Sequence, residues 1–524
     1  MGTILTYAVT IGYLKPIQVW YQIFYAIKRV ISPVYSLRYS WTHNWIHARH
    51  VQLDTSLNFS HAQVQNNVFL ILNRGKSFDE KVNWNFSGYG KLWTYHLNYF
   101  DYIHTSRHSA DMLPLMNDFA ANYQFVVDGK EPYPTSIRLI NWIKYLSKHK
   151  IENDRLNRVL YCDYKRLQNN LEYHILGNHL LENGFALLWA SQYFQDRKVF
   201  EKAQRILIKE LNEQILPDGA HFELSPMYHK IILFRILNCI TLFQNNTSFE
   251  SLELQDLLTR KANAMLGWLI NMTYENGETP QVNDSTPGIS PDTADLIHFA
   301  KSLNIVADVR QLKESGYRMY KRSKFELFID AGNIGPDYIP GHAHSDSLAF
   351  ELNYKGCPIL VDAGISTYEP NSIRQYERST AAHNTVMVEN KEQSKMWSAF
   401  RVAKRAYTQI VEEKKDYLRA YHDGYRALGV KHFRAFRCLD GEVVIADEIS
   451  RSCDAKAFLH FHPDVMVRLD GTRIVGSFGE ICFEGESRIE PSDYFHSYGF
   501  NRTRKAQMFT IHFNQFLNTM ITIL

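Results

Sequence analysis

The sequence predicts a multidomain α + β protein: an N-terminal helical part, arranged as a toroid or solenoid of helix pairs, followed by a C-terminal antiparallel β-sandwich. Three observations carry this prediction. The chain has 524 residues, too many for one ordinary core. From about Trp93 to Ser315, apolar residues recur with helical spacing in segments separated by short polar breaks. Around Phe325 the period changes from helical to alternating, and short β-rich runs punctuated by turn residues follow.

Residues 1–60 read as an N-terminal helical extension. Met1 to Leu14 is uncharged, lacks a basic stretch before its apolar residues and shows no small-x-small cleavage site, and Lys15-Pro16 interrupts it. Neither a cleaved leader nor a membrane span, which needs about 20 apolar residues, is expected there. The run from Ile17 to Val30 is helical in pattern and ends basic; docking on the protein's own body is favoured over contact with a membrane or partner.

Residues 61–318 form the helical domain, with helices expected over Ser136–Leu146, Leu181–Tyr193, Val199–Leu211, Tyr228–Phe243 and Leu254–Met272. Residues 319–524 form the sandwich, with strands expected at Phe325–Asp330, Ala349–Tyr354, Val386–Val388, Glu442–Ala446, Ala457–His462 and Gln507–Phe513. The linker falls near Lys313 to Ser323, with no Pro-rich tether, so the domains should pack tightly.

Composition narrows the function classes. Apolar content of 45% and charged content of 22% are those of a folded soluble protein. A net charge of +3 argues against a nucleic-acid protein held by bulk electrostatics. The 14% aromatic content leans slightly towards carbohydrate. Six scattered cysteines with no CxxC pair demand no disulfide framework.

Two stretches carry chemistry. Gly341-His-Ala-His-Ser-Asp346 opens a run to Asp362 that reads as two strands joined at Lys355-Gly356, which makes His344 and Asp362 neighbours. Ala381-Ala-His-Asn-Thr385 offers His383 from a third strand. Two imidazoles and one carboxylate suit a divalent ion such as zinc; histidines oriented by a carboxylate without metal are the competing reading. His342 and Asp346 are surplus titratable groups, as catalytic sites hold.

The second stretch is Gly177-Asn-His-Leu-Leu-Glu-Asn-Gly184, where Asn178, His179 and Glu182 share a helix face, together with Glu223-Leu-Ser-Pro-Met-Tyr-His229, where Ser225-Pro226 looks like a helix start and puts Tyr228 in a first turn. Asn178 as a helix cap and Tyr228 as a packing residue are the plain alternatives. The functional reading is β-elimination at a uronic acid: Asn178 and His179 donate to the uronate carboxylate, and Tyr228 and His342 move protons. A hydrolase would want two facing carboxylates, for which Glu182 and Glu223 are available.

Taken together, these motifs resemble the heparinase II/III-like polysaccharide lyases. The resemblance covers most of the chain from about Leu92 and is densest in Gly341 to Ala406, through His342-Ala-His-Ser-Asp346, Leu360-Val-Asp-Ala-Gly364, Arg378-Ser-Thr-Ala-Ala-His-Asn-Thr385 and Gln393-Ser-Lys-Met-Trp397. It implies an (α/α) toroid followed by an antiparallel β-sandwich, His344, Asp362 and His383 as ligands of zinc or calcium, and Tyr228, His342, Asn178 and His179 as catalytic residues. It further implies Glu182 as a supporting glutamate and Arg378 as a substrate contact. The segments Leu92–Asp101 and Glu131–Trp142 resemble a subgroup tied to bacterial surface-polysaccharide assembly, so a glycan-binding accessory protein is the alternative to a lyase. The expected partner is an acidic polysaccharide, and the expected location is cytoplasmic or membrane-peripheral, with a periplasmic one as the alternative.

Overall fold

The structure, a computed structural model, describes residues 2–35, 48–53, 57, 59–65, 67–79, 81–105 and 109–524. Two helices, α1 (Gly2–Gly12) and α2 (Pro16–Tyr35), precede a small antiparallel sheet of β1 (Gln63–Gln65), β2 (Val68–Ile71) and β3 (Arg74–Ser77). The helical domain then runs through α3 (Lys91–Tyr99), α4 (Ser109–Asn122), α5 (Pro132–Lys148), α6 (Asp154–Asn169), α7 (Gly177–Phe194), α8 (Arg197–Gln214), α9 (Pro226–Asn245), α10 (Leu252–Met272) and α11 (Thr293–Ser302). Side-chain caps start several of them, Asn153 for α6, Asp196 for α8, Ser225 for α9 and Ser251 for α10. Their apolar faces close one core around Trp93, Trp142, Leu180 and Leu237.

The C-terminal domain begins with a four-stranded sheet, β4 (Tyr317–Lys321), β5 (Phe325–Asp330), β6 (Phe350–Tyr354) and β7 (Cys357–Leu360). After a short helix, α12 (Ser372–Glu377), come β8 (Val386–Val388) and a two-stranded ribbon of β9 (Met396–Trp397) and β10 (Arg401–Val402). The large antiparallel sheet adds β11 (Thr408–Lys414), β12 (Tyr417–His422), β13 (His432–Leu439), β14 (Glu442–Ile449), β15 (Ala455–His460), β16 (Val467–Asp470), β17 (Arg473–Gly476), β18 (Gly479–Gly499) and β19 (Arg502–Ile523). Alternating residues of β13 and β14 are buried, and the two sheets enclose a core of Leu327, Phe350, Phe436, Ile445 and Ile511. Strand β19 is its spine, since it pairs with β14, β15 and β18.

The domains are fused by a third core, Leu224, Trp268, Tyr274, Val282, Tyr317 and Phe328. Polar bonds cross the same seam: Tyr317 donates to the Leu224 carbonyl at 2.6 Å, Tyr274 to Glu351 at 2.9 Å, and the Asp284 N–H to the His342 carbonyl at 3.0 Å. The last contact lays the loop before α11 along the loop that carries the histidines. Helices α1 and α2 span the seam from outside: Thr10 accepts from Trp397 of the sandwich at 3.2 Å, while Gln18 donates to Ile175 at 3.0 Å in the helical domain.

Candidate active site

A cleft of about 740 Å³ opens where the two domains meet. Asn178, His179, Tyr228 and His342 all line it, so the four residues expected to act together are brought together. Tyr228 stands in the first turn of α9, whose start is fixed by Ser225 accepting from the Tyr228 N–H at 3.3 Å and by Pro226 at the first helical position. The Tyr228 ring stacks on the His342 ring with centroids 4.0 Å apart, and its hydroxyl meets that of Tyr368 at 3.5 Å. Burial pushes the Tyr228 phenol up, reinforced by Asp284 and Glu223 and opposed by the Tyr368 bond. Tyr228 is therefore a protonated phenol.

His342 is fixed between two carboxylates, Nδ1 at 2.9 Å from Asp284 and Nε2 at 3.3 Å from Glu223. Asp284 is fully buried and is the node of the site: it also accepts from Arg374 at 2.7 Å and faces His344 Nε2 at 3.0 Å. Burial opposes its charge, but Arg374 and the two histidines outweigh that and hold its carboxyl well below the usual range. Glu223 accepts from the Asn178 amide at 2.9 Å and from its backbone N–H at 2.8 Å. Asn178 is not a helix cap, because α7 begins at Gly177. A Cβ on Gly177 would stand 2.6 Å from the Glu223 carboxylate, so only glycine lets Glu223 approach. Leu176, just before it, holds φ 68 and ψ −152, a conformation nearly reserved for glycine and the kind of strain that collects at working sites.

His179 bonds Glu172 at 2.9 Å and leaves 30% of its side chain open to the cleft. Burial works against its charge, yet Glu172 and the further carboxylates Glu223 and Glu182 outweigh it and raise the imidazole above its ordinary value. Glu182 does not reach the cleft; it is buried against Arg235 at 2.8 Å, and it is Arg235 that faces the opening. Beside it, Lys144 bonds Asn238 at 2.9 Å, and burial, with Arg235 next in effect, pushes its ammonium down to about 7. The role expected for Arg378 is corrected by its position: its side chain is wholly buried and donates to the carbonyls of Ala343 and Ala399, each at 2.9 Å. It shapes the histidine loop from behind.

His344 and His383 also converge, with one change from the expected triad. His344 Nε2 faces Asp284, and His383 Nδ1 faces Asp362 at 2.6 Å, which puts the proton of each ring on the carboxylate side. The lone pairs of His344 Nδ1 and His383 Nε2 are buried without hydrogen-bond partners, as is Asp346 Oδ2, and one ligand atom from each of the three lies within 4.8 Å of the others. Asp346 is thus the carboxylate that meets the two free nitrogens, and Asp362 stands behind His383 as its orienting partner. Three orphaned buried ligand atoms backed by carboxylates are a donor set that fits a divalent ion. A second group, His61, His96 and Asp101, lies on the cleft wall, but there the ligand atoms already bond one another.

With this geometry in place, comparison with known proteins settles the family. The family model described as heparinase II/III N-terminus matches residues 135–309, and the model described as heparinase II/III-like, C-terminal, matches residues 304–522. The chain belongs to the heparinase II/III-like family. It is similar to a heparin-sulfate lyase of Bacteroides stercoris, 25% identical over 249 residues, 42% of this chain and 36% of the relative. It is also similar to one of Pedobacter heparinus, 24% identical over 242 residues, 41% and 36% of the two chains. The chain thus spans little more than a third of the curated relatives it matches. Among solved structures, the crystal structure of heparinase III aligns with a TM-score of 0.65 at 15% identity, covering 85% of this chain and 80% of that one. A mutant heparan sulfate lyase from Pedobacter heparinus aligns at 0.59 and 16%, covering 86% and 79%. At these identities the likeness shows the heparinase fold, a toroid followed by a β-sandwich.

Sequence reasoning passed over Asp284, Arg374, Arg235, Lys144 and Tyr368. Asn283-Asp284-Ser285-Thr286 reads as a surface turn, and only the packing of the two domains buries it.

Proposed function

We propose that this heparinase II/III-like protein is a polysaccharide lyase that cleaves a uronic-acid-containing polysaccharide by β-elimination. The observation that carries the reading is the Tyr228–His342 stack, set where the domains meet in a cleft lined by aromatic rings and cations. In this reaction a base takes the C5 proton of the uronate, the C4–C5 double bond forms as the C4–O bond breaks, and the departing oxygen gains a proton. His342, held on Nδ1 by Asp284, takes the C5 proton, and the protonated Tyr228 supplies the proton to the departing oxygen. His342 then gives up its extra proton to solvent and Tyr228 regains one from solvent, and the site is restored.

Removing the C5 proton requires that negative charge developing on the carboxylate be matched. His179, Arg235 and Lys144 face the cleft and supply it. The Asn178 amide, which now holds Glu223, joins them when it turns towards substrate. The hydrolase reading loses its pair, because Glu182 is turned into Arg235 and Glu223 into Asn178. The relatives' names, heparin-sulfate lyase, support an acidic glycan as the substrate class.

His344, His383 and Asp346 would hold a divalent ion, with two imidazoles favouring zinc over calcium. Bound there, the ion would supply a structural cross-link between the histidine loop and the segment before β8. His383→Ala is expected to lose the metal measured by elemental analysis and to melt earlier, and a chelator should lower the melting point of the wild type but not of the variant. Full metal content in His383→Ala would contradict the assignment.

The test of the function is a rise in ultraviolet absorbance from the unsaturated product when the protein is mixed with a panel of uronic-acid polysaccharides. Silence across the panel, with glycan retained in a binding assay, would support a non-cleaving accessory protein instead. The position of Lys144 adds a pH signature. It is charged below about pH 7 and loses its charge above, so KM for an acidic substrate should rise as the pH passes upwards through that value. In Lys144→Gln this arm of the KM profile should flatten; an unchanged profile would remove Lys144 from substrate binding.

A further inference from the structure

Helix α2 carries a continuous outward stripe of large apolar side chains: Trp20 is 66% exposed, Ile23 53%, Phe24 44%, Ile27 53% and Val30 80%. The spacing is helical, so the stripe is one face. Helix α1 adds Ile4, Leu5 and Ile11, each more than half exposed. The opposite face of α2 is anchored, which fixes the direction of the stripe. Gln18 is buried and donates to the carbonyls of Ile175 and Tyr338, Tyr21 stacks on Tyr173 at 4.7 Å, Tyr25 donates to Leu171, and Lys28 to the Asn169 carbonyl at 2.6 Å. Docking on the body, the favoured sequence expectation, therefore accounts for one face of α2, and among the described residues the other is uncovered.

Charge says what covers it. The first acidic residue of the sequence is Asp54, and of the cations along the two helices Arg29 is exposed, while Lys15 pairs with Glu213 and Lys28 is turned to the body. An acid-free helix pair with Trp and Phe on its open face and an exposed arginine towards its end matches a bilayer surface bearing anionic lipid. No helix among the described residues is long and apolar enough to cross a membrane, so the helix pair would lie on the surface.

We propose that α1 and α2 seat this protein on an anionic lipid bilayer, with the apolar stripe in the headgroup boundary. Thr10, Gln18 and Gln22 of the same helices, with Leu14 between them, line the cleft, so docking holds a wall of the cleft close to the membrane and to glycan held at that surface. The proposal concerns a face away from the Tyr228–His342 pair and stands or falls apart from the lyase reading.

The test is co-sedimentation of the full chain with phosphatidylcholine vesicles containing phosphatidylglycerol, alongside vesicles of phosphatidylcholine alone. Binding to the anionic vesicles, weakened by salt, is expected, and Trp20→Glu/Ile23→Glu/Ile27→Glu should lower the bound fraction about tenfold or more while keeping the wild-type melting point. Should the triple variant misfold, Ile27→Glu alone and Arg29→Glu alone should each reduce binding in a folded protein. Wild-type protein that stays in the supernatant with both vesicle types would overturn the proposal. So would a wild-type dimer in size-exclusion chromatography that the triple variant turns to monomer, since the stripe would then be an interface between copies.

Discussion

Tyr228→Phe should lower kcat by about 10²- to 10⁴-fold, the usual worth of a positioned proton donor, while leaving the melting point and glycan binding near those of the wild type. The substitution is unusually clean here. The phenyl ring keeps its stack on His342 at 4.0 Å, and the hydroxyl has a weak partner in Tyr368 at 3.5 Å, so the loss is confined to the hydroxyl and its transferable proton. Because burial keeps the phenol protonated, no rise in activity towards high pH should reveal a phenolate in the wild type. The check is initial rates by ultraviolet absorbance on the substrate found with wild-type protein. A variant with activity within about tenfold of wild type would remove Tyr228 from proton transfer.

Asp284→Ala should be the most destabilising single change in the site. It leaves the Arg374 guanidinium buried without its carboxylate, and loss of one partner of a buried pair costs about 3–5 kcal/mol. It also frees His342 and His344, the first from its catalytic orientation and the second from its tautomer. Asp284→Asn separates the two effects. It keeps the volume and most of the hydrogen bonding, so its denaturant midpoint should fall less, yet its activity should fall about as far as that of Asp284→Ala because the ring is no longer held by a charge. A midpoint unchanged in Asp284→Ala would mean that the pair contributes nothing net.

Much of the fold could be read in the sequence, because its signals are local. Helices α5 and α7 to α10 appear where the apolar period placed them, and the turn joining β6 and β7 sits at Lys355-Gly356, both with positive φ. The sheet β1–β3 was not foreseen, since strands of three or four residues carry too little pattern to be told from loop. The site divides along the same line. Tyr228, Asn178, His179 and His342 stand in motifs and were found, whereas Asp284 and Arg374 lie 90 residues apart and join only across the domain seam. The choice between Asp346 and Asp362 at the two histidines was beyond reach for a finer reason: both carboxylates flank His383, and side-chain direction decides which meets the free nitrogens.

One arrangement sets a rule for the whole molecule. Tyr228, Asn178 and His179 belong to the toroid, His342 to the loop of the sandwich domain, and Asp284 ties the two loops together by its backbone and its carboxylate. Neither domain owns a working site; each holds half of a lock that exists only while the two are docked. On the proposed reading, turnover becomes a gauge of quaternary-like fit inside one chain, and anything that loosens the seam, even with both domains fully folded, should switch the chemistry off at a distance from every reacting atom.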